Sequence, residues 1–289
     1  MTRNAIGSAV LVTLCLAGTQ DVRAELQPIS DTEMGAVQGQ AMIAVDQVMG
    51  GSQHFTRITM GMDVAVQTNV NALAIGETAA GTDLAVNQLS LGHISEDESR
   101  VQLDGQTYAV GDIVPFEAAN PYFELAQVND EVVGFRLGLG QARGTLSGEM
   151  ASFSGHLGLQ LEDASGTAAA ATLYDATTAA TNYQATHVGL AGATTDCASG
   201  VQCAPLTNLK TFEVGADNGD GTVGFAKDFF LAFQEQAVDW QSLDGSRTVT
   251  AAPGVHLNLP TAMTIDLQTL QNGIPRVRTE YIDRGLGVF

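Results

Sequence analysis

The chain has 289 residues, with 12 basic against 32 acidic side chains and a net charge of −20. A surface of that sign repels nucleic-acid phosphates and anionic lipid headgroups, which excludes both as partners. Charged residues make up only 15% of the chain and apolar ones 45%, which excludes the charge-rich, apolar-poor profile of a disordered polymer.

The first 24 residues have the three parts of an export signal. Arg3 supplies a basic start, residues 9–17 form an apolar run, and Val22-Arg23-Ala24 fits cleavage after Ala24. The run is shorter than the roughly 20 apolar residues that cross a bilayer. Leu14 stands before Cys15 where a lipoprotein signal needs a small residue. The expectation is an exported protein of the periplasm, outer-membrane surface or extracellular space, with no integral membrane span in the mature chain.

Residues 25–40 predict a short N-terminal helix. Ser30 and Glu33 form a capping box, Ile29 and Met34 occupy the hydrophobic-staple positions, and Asp31 and Glu33 suit the positive helix end. Gly39 is a stop. The two-turn helix over 31–38 is too short to persist alone and must dock on something.

From residue 41 the apolar period is two, the mark of β-strands. Ile58, Met60, Met62, Val64 and Val66 alternate in one candidate strand, and Leu84 and Val86, then Leu89 and Leu91, in a second. Residues 100–114 read as a hairpin around Asp104-Gly105. Residues 122–140 read as another turning at Asn129-Asp130, with Val133, Phe135, Leu137 and Leu139 on one face. Residues 144–163 alternate short apolar stretches with Ser-Gly pairs, as a meander or a stack of solenoid rungs would. The Ala/Thr-rich segment at about 164–211 reads as an insertion or surface excursion, helix or strand. Phe229, Phe230, Leu231 and Phe233 are expected to be buried. Residues 254–260 read as a strand, and a short helix is expected near 266–272.

The fold class is therefore mainly β, antiparallel sheets as a sandwich or a solenoid-like stack, with the short N-terminal helix; a barrel stays an alternative. The organisation is a signal at 1–24, the helix at 25–40, and a single β-rich domain at 41–289 carrying the Ala/Thr-rich insertion.

No constellation in the chain advertises catalysis, a cofactor or a metal. In Gly144-Thr145-Leu146-Ser147-Gly148 the serine sits directly before the glycine, out of place for a nucleophile elbow. His54, His93, His156, His187 and His256 are scattered, without zinc-site spacing. Residues 215–222, GADNGDGT, suggest a calcium loop, but Ala216 and Lys227 fall where the first and last ligands belong, so a polar hairpin turn is the expectation. Cys197 and Cys203, six apart in an oxidising compartment, are expected to form a local disulfide. Arg276, Arg278 and Arg284 near the C-terminus are expected to pair with internal carboxylates; the other reading is a docking patch for an acidic partner.

Asp31, Glu33, Val37, Gly39, Gln40 and Ala41 match a motif, Asp-x-Glu-Leu-(Ser)-x-Val-x-Gly-Gln-(Ala/Asp), that follows the signal in a family of uncharacterised secreted proteins of Gram-negative bacteria. Met34 and Gly35 depart from it. The chain resembles this family again in residues 120–126, 132–159 and 274–289. Some members are labelled pilus-system proteins, so the resemblance implies a pilus-associated role and no defined chemistry. The expected function is an exported, non-catalytic envelope or surface protein, structural or adhesion/pilus-associated, with self-association or an envelope protein as partner. The alternative is a periplasmic or outer-membrane protein that binds a small ligand or lipid.

Overall fold

The structure is a computed structural model that describes residues 43–193 and 202–280. The expected N-terminal helix, the signal and the C-terminal Arg284 lie outside these residues. The described part belongs to one compact unit, and it is mainly β, as the period of two predicts.

The described residues begin with β1 (Ile43–Gly50) and β2 (Gln53–Met60), a register-perfect antiparallel pair. The expected long strand over residues 56–67 is broken. After β2 the backbone kinks at Gly61-Met62 and resumes as β3 (Asp63–Val66), and both pieces pair with the same neighbour, β8 (Phe116–Val128). Strands β4 (Thr68–Thr78) and β5 (Gly81–Leu91) form a long hairpin. The change of phase between Leu84/Val86 and Leu89/Leu91 is a bulge against β9 (Glu131–Ser152), with Gln88 at φ 52°.

The hairpin expected at residues 100–114 does not form. The only ladder there is β6 (His93–Ile94) with β7 (Ile113–Val114). The turn at Asp104-Gly105 does form, but its carboxylate accepts from the Gln106 amide (3.0 Å) and the Tyr108 hydroxyl (2.5 Å). Local side-chain bonds there take the place of a strand ladder.

The hairpin at Asn129-Asp130 forms as read. It joins β8 (Phe116–Val128) to β9 (Glu131–Ser152), with both turn residues at positive φ, 51° and 67°. The 22-residue β9 organises the molecule. Its first half pairs β8 on one side and β19 (Phe229–Gln234) on the other; its second half pairs β5 and β16 (Thr211–Val214). Gly144 sits where β9 changes neighbours, at φ 142°, and a Cβ there would stand 2.8 Å from the Phe116 backbone.

Beyond β9 come the short strands β10 (Gly155–Leu157), β11 (Gln160–Glu162), β12 (Ala168–Ala170), β13 (Thr172–Tyr174), β14 (His187–Gly189) and β15 (Cys203–Pro205). The described part of the Ala/Thr-rich segment carries short strands, β12 to β15, joined by loops, with a single 3-10 turn at Leu206–Asn208, and part of it is buried. Leu173, Ala185, Val188, Ala204 and Leu206 enter the main core. Strand β16 (Thr211–Val214) follows, then the hairpin β17 (Ala216–Asp217) and β18 (Val223–Gly224), β19 (Phe229–Gln234), the hairpin β20 (Val238–Gln241) and β21 (Thr248–Ala251), β22 (Gly254–Leu259) and β23 (Thr264–Asp266). The predicted helix near 266–272 is α1 (Leu267–Asn272), capped by the Asp266 carboxylate and ended at Gly273 with φ 89°.

The largest sheet runs in the order β1-β2-β8-β9-β19-β22-β10. Pairing is antiparallel except for β10–β22 and β11–β23. Leu146, Met150, Phe153, Phe212, Leu259 and Leu270 belong to the main core, which β4 and β5 help to close. A second cluster, Phe55, Phe230, Val238 and Trp240, lies under the β20–β21 hairpin.

Candidate functional site

The large sheet is inverted relative to a simple reading of its pattern. The alternation in β9, Val133-Gly134-Phe135-Arg136-Leu137-Gly138-Leu139, predicts that the bulky apolar residues face inward. Instead Arg136 is fully buried, while Phe135 and Leu137 are 37% and 49% exposed.

Cross-strand register shows what each face carries. On one face a row runs Val45, Ile58, Phe123, Leu137, Leu231, Leu257 across β1, β2, β8, β9, β19 and β22. A neighbouring row runs Gln47, Thr56, Leu125, Phe135, Phe233, Val255. Neither row contains a charged side chain. Phe135 stacks on Phe233 at 4.8 Å and lies 6.3 Å from Phe123. The β19–β22 end of this face joins the main core; toward β1 it opens, with Ile43, Val45, Met49 and Met60 exposed by 40% or more. Strand β1 pairs only with β2, so its outer row of backbone groups is free of partners among the described strands.

On the opposite face the row is Arg57, Glu124, Arg136, Ala232, His256. Arg136 Nε donates to Glu124 Oε2 at 2.6 Å and Nη2 donates to the Gln241 carbonyl at 2.6 Å, while Arg57 reaches Glu124 at 3.3 Å. The Arg136 guanidinium lies 4.8–5.3 Å from the ring centres of Phe230, Trp240 and Tyr122. The glycines of β9 make this arrangement fit: a Cβ on Gly138 would collide with the Tyr122 ring. Burial leaves the Tyr122 hydroxyl raised to about 12 and His256 lowered to about 4, the latter aided by nearby His156.

A cleft of about 460 Å³ closes one end of the apolar face, between the β4–β5 turn region and β9–β19; Val132, Val133, Phe135, Phe233 and Val255 give it an apolar wall, and Glu77, Asp83 and Glu235 also line it. The apolar face, its free edge and this cleft form the candidate site. The two uncharged rows of the face, on a chain of net charge −20, mark an interaction surface.

The residues singled out from sequence are placed elsewhere. Ser30, Asp31, Glu33, Val37, Gly39, Gln40, Cys197 and Arg284 lie outside the described residues. Cys203 is fully buried at the start of β15, in one small cluster with Tyr174. Among the described residues Arg276 and Arg278 form no ion pair with a carboxylate. Arg276 donates to the Gln88 carbonyl (2.9 Å) and the Ser90 hydroxyl (2.8 Å), and Arg278 to the Glu280 carbonyl (3.4 Å). Together with Asn69 and Gln67, which donate to the Thr279 carbonyl, Arg276 straps the C-terminal segment across β4 and β5. The acid-rich stretch at 215–222 is a polar hairpin, β17–β18, as expected, with Asp217 accepting from the Gly219 amide and Asp220 from Thr222.

Sequence reasoning missed the apolar face because period alone does not say which side of a strand is covered. The signal that was available is Gly134, Gly138 and Gly140 alternating with Phe135, Leu137 and Leu139: glycine leaves room for a second layer of bulky groups. Comparison with known proteins finds no matching family model, no similar curated protein and no similar solved structure. Among the described residues no helix is long and apolar enough to cross a membrane.

Proposed function

We propose that this is an exported, non-catalytic cell-envelope or surface protein that acts by contact, as a structural or pilus-associated component, and that it self-associates through β1 and the apolar face beside it. The observation that carries this reading is the uncharged apolar face running out to a free edge strand. Two copies of a strongly acidic chain repel each other over most of their surface, and this neutral patch is where they can approach. Edge strands accept a further strand through their backbone groups. The signal-like N-terminus and the resemblance of its motif to secreted pilus-system proteins support the same role. We read the sheets that share β9 as a sandwich around one core, which favours contact over enclosure of a ligand.

The test is light scattering on the mature chain beside two variants, Val45→Lys and Leu137→Lys, both at exposed positions. Self-association in the parent, lost in both variants with unchanged thermal melting, is the expected result. A parent that stays monomeric at high concentration overturns the reading. The second reading, binding of a small apolar ligand or lipid, rests on the cleft beside Phe135 and Phe233. It gains if a fatty acid displaces an apolar dye from the parent and Phe233→Ala removes the dye site.

A further inference from the structure

A second cleft, of about 440 Å³, opens where the buried polar face reaches the surface. It is walled by the β18–β19 connection, the β20–β21 turn and the ends of β10 and β22, and it shares no lining residue with the apolar cleft. We propose that it binds a neutral sugar unit, a hexose or N-acetylhexosamine.

Charge balance is the first argument. Arg247 pairs with Asp228 at 3.1 Å and Lys227 faces Asp244 at 3.9 Å, so each charge at the rim already has its opposite. A free anion would also meet the field of a chain carrying −20. What remains is a dense set of neutral and paired donors and acceptors, suited to hydroxyl groups that both give and take hydrogen bonds.

The second argument is a flat apolar platform. Phe225 lines the cleft and is 37% exposed. The Arg143 guanidinium lies 4.4 Å from its ring centre, and Arg143 is in turn held by Glu117 at 2.7 Å, which fixes the ring from outside the cleft. A sugar presents an apolar C–H face to such a ring and turns its hydroxyls outward to the polar wall.

The third argument is an unanswered acceptor at the floor. Asn258 lines the cleft, is 1% exposed, and spends its amide NH₂ on the Asp228 carbonyl. Its Oδ1 has no donor among the described residues. A buried acceptor left alone is destabilising, and a hydroxyl donated by a ligand relieves it. His156 stands beside this floor, opposite Asn258 in the β10–β22 register, and burial and the Arg247 charge lower its pKa. It therefore presents a neutral imidazole near neutral pH. The cleft volume matches small-ligand sites, which run from roughly 300 to 1,000 Å³.

The test is a titration of the isotope-labelled mature protein with glucose, galactose and N-acetylglucosamine, each in turn, followed by backbone amide shifts. The expected result is saturable shifts confined to residues 225–228, 244–247 and 258, with a dissociation constant on the order of millimolar. Phe225→Ala, at a half-exposed position, should weaken binding about tenfold without changing the melting temperature. Absence of saturable shifts with all three sugars overturns the proposal, as do shifts of equal affinity in Phe225→Ala. Neither outcome bears on self-association, which is read at a different surface.

Discussion

At the scale of single residues, the buried Arg136–Glu124 pair decides how the large sheet is built. Both side chains are fully out of water. Removing one partner strands a charge, whereas replacing both with apolar groups of similar volume removes the desolvation cost with the attraction. Arg136→Ala should therefore lower unfolding stability by about 3–5 kcal/mol in a urea titration. Arg57 shares the same carboxylate, so it is the triple variant Arg57→Met/Glu124→Leu/Arg136→Met, which leaves no member of the group without a partner, that should recover most of that loss. His256 makes a pH prediction. Its pKa falls from the ordinary 6.5 to about 4 in the fold, so between these values the unfolded chain binds the proton and the native state does not. Its contribution is complete above about pH 6.5 and is lost as the pH falls toward 4, about 3 kcal/mol in all. Urea midpoints measured from pH 7 to pH 4 should drop, and in His256→Gln the drop should be shallower. Asp97, Asp163, Asp175 and Asp220 add a separate loss at lower pH. Each has its pKa lowered, first by a Ser or Thr hydroxyl two residues on, so the stability they bring is present above the usual carboxylate range and lost as they protonate.

At the scale of elements, local chemistry was legible where the chain itself closes the bonds. The Asn129-Asp130 turn, the α1 helix with its Asp266 cap and Gly273 stop, and the β17–β18 turn all follow from side chains within a few residues. The turn leaves Asp130 at φ 67°, where a residue with a Cβ is strained and glycine is not. Asp130→Gly should raise stability by about 0.5 kcal/mol, and Asp130→Val should lower it by about 1 kcal/mol or more, both read from chemical denaturation. The hairpin at Asp104-Gly105 was misread because the same two residues start a turn whether or not strands flank it. The Ala/Thr-rich segment read as peripheral because its many small residues carry no clear period; Leu173 and Val188, cross-strand partners, and Leu206 are buried in a core whose other members, such as Leu146, Phe212 and Leu259, lie outside the segment.

At the scale of the whole molecule, charge governs association. With a net charge of −20, repulsion between copies extends over a Debye length of about 10 Å at 0.1 M salt and about 3 Å at 1 M. If copies meet through the uncharged β1 face, added salt removes the repulsion and leaves the apolar contact intact. Sedimentation at low and high sodium chloride should show the self-associated fraction rising with salt, and Val45→Lys should abolish that rise. Composition and period alone determined the sign of this field, the β class, and the places where the chain turns, because each depends on the identity of residues close in sequence. Which face of β9 is covered, that Arg136 lies inside and Leu137 outside, and that Phe225, Asn258 and Arg247 share a cleft were decided only by the tertiary structure. The physical reason is that a strand's two faces are equivalent until another layer covers one, and here that layer, the β20–β21 hairpin with Trp240, arrives about a hundred residues later in the chain.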